Sequence, residues 1–83
     1  MNKRTKKAVV KAMHTLIVNT VTHECGHINV ELSLTSDPEI LVSSTRSTDS
    51  PVFFATEIVA LAENSPLNHH LFLKDGVITL RIW

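Results

Sequence analysis

The stretch His23-Glu24-Cys25-Gly26-His27 is the place in this chain where residue types and spacing spell out a chemistry. It reads HExxH. On a helix, residues four apart share a face, so His23 and His27 can both ligate one zinc ion while Glu24 activates the metal-bound water. A third ligand must come from elsewhere. Glu57 or Glu63, or His69 or His70, are the side chains that folding could bring to it. His69 and His70 cannot both serve on a strand, because neighbouring strand residues point to opposite faces. Cys25 is the chain's sole cysteine, so an internal disulfide and any site needing two thiolates from one chain are excluded. Its expected role is packing.

The element that must hold this stretch is an amphipathic helix. Over residues 5–22 the apolar side chains Val9, Val10, Met13, Leu16, Ile17 and Val21 recur at three- and four-residue spacing. Val18, Thr20, Val21 and Thr22 are β-branched and weaken its last turns. Gly26 is the natural C-terminal cap, which places His27 outside the spiral and breaks the i,i+4 ligand geometry. The next element follows at once. From residue 28 to 35 the alternation is strict, with Ile28, Val30, Leu32 and Leu34 on one face and Asn29, Glu31, Ser33 and Thr35 on the other. HECGH therefore reads as a helix-to-strand boundary.

Further along, Ser36-Asp37-Pro38-Glu39 is turn chemistry leading to a second strand over residues 40–46, with Ile40 and Val42 inward. A polar loop over 43–50 precedes a second helix, with Asp49 or Ser50 as N-cap and Pro51 in its first turn; Phe54, Ile58 and Leu61 form its apolar stripe. Asn64, Ser65 and Pro66 end it. Asp75-Gly76 is a preferred type I′ pair joining strands over 70–74 and 77–83. That loop pairs Leu73 with Ile78 and Leu71 with Leu80. It sets Leu71, Leu73, Ile78, Leu80 and Ile82 on the core face and Phe72, Val77, Thr79, Arg81 and Trp83 on the other.

The expected fold class is α+β. Two αββ units form a four-stranded, mainly antiparallel sheet with both helices packed on one face. The strand order is not written in the sequence, and a permuted ferredoxin-like arrangement is one candidate by analogy. With 83 residues the chain has room for one small domain and one core. An apolar fraction of 43% with 19% charged residues argues against disorder. Nothing resembles a phosphate-cradling glycine loop or a Gly-x-Ser-x-Gly elbow.

The formal net charge of zero hides an asymmetry. Lys3, Arg4, Lys6, Lys7 and Lys11 are five of the eight cations, and the remainder of the chain carries Arg46, Lys74 and Arg81 against eight carboxylates. Residues 1–5 read as a flexible basic N-terminal arm, a solubilising tail on an acidic body. The basic start lacks the uninterrupted apolar stretch and cleavage site of a signal peptide, and no apolar run reaches membrane-span length. The expected localisation is cytoplasmic.

HECGH resembles the metal-binding signature of zinc metallopeptidases, over five to ten of the 83 residues. The resemblance implies that His23 and His27 are ligands, that Glu24 is the general base and that zinc is the cofactor. Three departures set it aside. Those enzymes build a substrate-binding sheet before the signature helix, their cleft lies between two subdomains, and here a strand begins directly at Ile28. No cofactor is expected, and a zinc-dependent hydrolase is the alternative.

The outer face of the sheet is the stronger candidate. Leu41, His70, Phe72, Val77, Arg81 and Trp83 combine apolar, aromatic and cationic groups, the mixture favoured at protein interfaces. The expected function is a small non-enzymatic protein-binding module of inhibitor or adaptor type, the kind of compact protein that mobile genetic elements encode. Its partner would be another protein or a second copy in a homodimer. A third reading has the same face stacking RNA bases, which the acidic body disfavours.

Overall fold

The computed structural model describes residues 1–24, 28–44 and 57–83, the side chains of 22–24 and 44 excepted. The chain forms α1 (Lys3–Glu24), β1 (Ile28–Ser33), β2 (Glu39–Ser44), α2 (Val59–Glu63), β3 (His69–Lys74) and β4 (Val77–Ile82). This is the α+β architecture read from the pattern. The strands make one antiparallel sheet in the order β1-β2-β4-β3. That is the order a ferredoxin-like βαββαβ chain acquires when its first strand is moved to the end.

α1 begins earlier than the apolar periodicity suggests, because Asn2 caps it. The Asn2 side-chain oxygen accepts the Thr5 N–H at 2.8 Å, and its carbonyl accepts the Lys6 N–H at 2.9 Å. Lys3 and Arg4 thus lie in the first helical turn rather than in a free arm. The buried stripe is Val10, Met13, Ile17 and Val21. Leu16, expected on it, is 51% exposed, because its position has rotated off the face that meets the sheet.

Both helices pack on the inner face of the sheet. Val10, Met13, Ile17 and Val21 of α1 and Ile58 and Ala62 near and in α2 join Ile40 and Val42 of β2, Leu80 and Ile82 of β4, and Leu67 in one core. β2 and β4 supply the fully buried strand residues because they are the two central strands. Ile28, Val30 and Leu32 of β1 pack against the core as partly buried neighbours.

Asn64, Ser65 and Leu67 close α2 by local bonding. The Asn64 amide donates to Ala60 O at 2.9 Å, the Ser65 hydroxyl donates to Ala62 O at 2.7 Å, and Leu67 N–H donates to Ser65 Oγ at 3.2 Å. The helix start expected at Asp49, Ser50 and Pro51, with Phe54, lies outside the described residues.

The second hairpin has the expected register, with Leu73 opposite Ile78 and Leu71 opposite Leu80. Asp75 at φ 54° and Gly76 at φ 78° both occupy the left-handed region, as a type I′ turn requires. The core-face assignment needs one correction. Leu71 and Leu73 are 47% and 71% exposed, because β3 is an edge strand and its hairpin end reaches beyond the packed core. β1 and β4 also end sooner than the alternation predicts: β1 stops at Ser33, leaving Leu34 39% exposed, and β4 stops at Ile82.

Candidate functional site

The outer face is assembled by cross-strand register. Leu41 of β2 lies opposite Arg81 of β4, and Arg81 lies opposite His70 of β3, so these three side chains form a row across three strands. Two residues along, Ser43, Thr79 and Phe72 form the next row. Val77 follows opposite Lys74 at the hairpin end. Trp83 extends beyond β4, and its backbone exchanges two hydrogen bonds with Asn68, at 2.7 and 3.0 Å. The chain end is thereby tied down rather than frayed.

Arg81 organises the row. Its Nε donates to Glu39 Oε2 at 2.6 Å, and its guanidinium carbon lies 4.5 Å from the centre of the Trp83 ring. With Arg81 and Glu39 side chains 42% and 29% exposed, solvent screening holds such an ion pair to at most about 1 kcal/mol. The cation–π contact adds roughly 0.5–1 kcal/mol. The main consequence is orientation: a planar cation and a planar ring are held together at the surface.

His70 and Phe72 occupy the same face of β3 and stack, with ring centres 5.7 Å apart and planes 13° from parallel. Phe72 and Trp83 are half-buried, each with a neighbouring ring or cation, whereas the alternation alone predicts two unpartnered exposed aromatics. Thr79 is 3% exposed at the middle of this face, with its hydroxyl donating to Val77 O at 3.2 Å.

Trp83 and Arg81 also line a cleft of about 470 Å³, with Lys3 and Lys6 from the start of α1 and Ser36, Asp37 and Pro38 from the β1–β2 turn. Sequence reasoning treats the basic start of the chain and its aromatic end separately. The fold brings them together because α1 starts beside the end of the sheet where β4 finishes. Glu39 is likewise read from the sequence only as a turn residue, whereas it opens β2. Its pairing with Arg81 depends on the β2–β4 contact between residues 42 positions apart, and no local pattern announces it.

In the HECGH region, α1 carries helical backbone through His23 and Glu24, and β1 begins at Ile28. Cys25, Gly26 and His27 lie outside the described residues, as do the side chains of His23 and Glu24. Of the candidate third ligands, Glu57 and Glu63 are exposed at either end of the α2 region, while His69 and His70 are exposed on opposite faces of β3. Among the described residues, no three His, Cys, Asp or Glu side chains converge on a space that would hold a metal ion. No helix among them is long and apolar enough to cross a membrane. Comparison with family models, with curated proteins and with solved structures gave no match to this chain.

Proposed function

We propose that this chain is a small non-enzymatic protein-binding module, of the inhibitor or adaptor type that mobile genetic elements encode, and that the outer face of its sheet is the contact surface. The observation that carries this reading is the arrangement of Arg81 over Trp83, bonded to Glu39, beside Leu41 and the His70–Phe72 stack. Aromatic and arginine anchors held in fixed orientation are the groups that dominate binding energy at protein interfaces, since little side-chain entropy remains to be lost on contact. We place its action in the reducing cytoplasm, where a lone cysteine such as Cys25 stays a thiol. The test is capture of the partner by wild type and by the Phe72→Ala/Trp83→Ala double variant, with Arg81→Glu as a second variant that reverses the charge at this face and leaves both aromatic rings in place. Loss of capture by both, with melting temperatures retained, supports the reading. Unchanged capture removes it.

A second reading is favoured by the cleft. Lys3, Lys6 and Arg81 around Trp83 offer cations beside a ring, the combination on which single-stranded nucleic acid stacks. Asp37 lines the same cleft and Glu39 holds Arg81, so the local excess of positive charge is small. Trp83 is the only tryptophan, so its emission reports the cleft directly. Quenching by a short single-stranded oligonucleotide, weakened by Lys3→Ala/Lys6→Ala and by added salt, would favour nucleic acid over protein.

The zinc hydrolase, the alternative read from the HECGH motif, stays a proposal. Its support is the helical backbone at His23 and Glu24, and metal content decides it.

A further inference from the structure

The edge formed by β3 has the properties of a self-association surface. Asn68 and Trp83 exchange both backbone hydrogen bonds, and bonded and non-bonded pairs alternate along an antiparallel ladder. The bonded pairs towards β4 are therefore His70 with Arg81, Phe72 with Thr79 and Lys74 with Val77. His69, Leu71 and Leu73 direct their N–H and C=O groups the other way, to the outer side of the sheet edge. Among the described residues no strand pairs there.

Edges of this kind are normally guarded by a proline, a bulge or a charge in mid-strand. β3 reads HHLFLK, with a continuous register to β4 and its one charged residue, Lys74, at the end. The opposite edge, β1, carries Glu31 in mid-strand. Beside these outward backbone groups lie Leu71 and Leu73, 47% and 71% exposed, and with Phe72 and Ile78 they line an apolar hollow of about 220 Å³.

We propose that β3 is a dimerisation edge at which two copies of this chain pair antiparallel about a two-fold axis through Leu71. In that register Leu71 faces Leu71 of the second copy and His69 faces its Leu73, so every outward N–H and C=O of these three residues finds a partner. On the outer face His70 meets Phe72 of the second copy, which extends the ring stack already present within the strand. Charge also fits a second copy: Lys74 falls opposite uncharged Asn68, not opposite another Lys74, and no like charges face each other. The sheet becomes continuous, with β3 at its centre and both inner faces on the same side.

The size of the seam sets its strength. Six residues at ~3.4 Å each give a seam of about 20 Å. With the two leucines this covers roughly half of the ~800 Å² per partner found in long-lived interfaces. The dimer is therefore weak and in exchange with the monomer. It also sets two outer faces side by side, so a partner with two sites would be held by both. That consequence rests on the proposed outer-face function, while the dimer itself does not.

The experiment is sedimentation velocity from about 1 µM to about 1 mM, a range that brackets a weak dissociation constant. The wild type should shift from monomer to dimer. Leu71→Lys and Leu73→Lys should each raise the dissociation constant at least about tenfold, equivalent to ~1.4 kcal/mol. Both positions are exposed enough to accept lysine in the monomer, and thermal melts check this. A cysteine arm in a Cys25→Ser background reads the register independently of stability. Leu71→Cys should form a disulfide-linked dimer with itself. Leu73→Cys should link to His69→Cys and not to itself, since bonded antiparallel pairs lie ~5.5 Å apart at Cα, within disulfide range. A monomer at every concentration, a dimer indifferent to both lysines, or cross-links in another register would overturn the proposal.

Discussion

Arg81 shows how a single side chain can shape a surface without stabilising the fold much. It is shared between a carboxylate and a ring, both partly in water, where such contacts are each worth at most about 1 kcal/mol. Arg81→Ala is therefore expected to lower stability by no more than about 1–2 kcal/mol. The same change frees the ring of the sole tryptophan from its cation, so the emission of Trp83 should shift clearly while the loss of stability stays within that bound. A large loss of stability with unchanged emission would mean that Arg81 has a packing role instead. The residue scale also decides the metal question. Protein purified without chelators is expected to lack near-stoichiometric zinc, and added zinc should not raise its melting temperature. One equivalent of zinc that disappears in His23→Ala would instead reinstate the hydrolase reading.

At the scale of elements, the sequence was most informative where the determinants are local. The Asp75-Gly76 turn, the register it imposes and the inward residues Ile40 and Val42 all follow from turn chemistry and two-residue alternation, and all are present. Gly76 stands at φ 78° with nothing within 4 Å of an added Cβ, so Gly76→Ala meets no clash and costs only the left-handed backbone, about 1 kcal/mol. Asp75→Asn should cost nearly nothing, since Asn tolerates the same region. Chemical denaturation of the two variants checks the difference. Legibility failed for Leu16, Leu71 and Leu73, because periodicity marks which side of an element is apolar but not whether another element reaches that side. The consequence is measurable. Ile40→Ala, in a fully buried central strand, should cost about 2–4 kcal/mol, whereas Leu16→Ala should cost well under 1 kcal/mol. Equal costs would contradict the core described above.

For the whole molecule, the informative contacts are those between distant segments. Pairing of β2 with β4 sets Leu41 and Glu39 beside Arg81, and the start of α1 meets Trp83 across a shared cleft. Six residues of the outer face were legible as a composition, since alternation places them on one side. Their grouping into an Arg81–Trp83–Glu39 cluster and a His70–Phe72 stack was not, because it depends on strand order and side-chain packing that no local pattern encodes. The HECGH stretch shows the converse: a recognisable spacing at residues 23–27 set directly ahead of a strand.

The outer face as binding surface is tested most directly by site-specific photo-crosslinking in cells that express the chain. A photoreactive phenylalanine analogue would be placed in turn at Phe72, at Trp83 and at Leu16, the last being exposed on α1 and away from the outer face. The same discrete adducts from positions 72 and 83, absent from position 16 and lost when Arg81→Glu is added, are the predicted result. Adducts from position 16 alone, or none from 72 and 83 at any expression level, would contradict it.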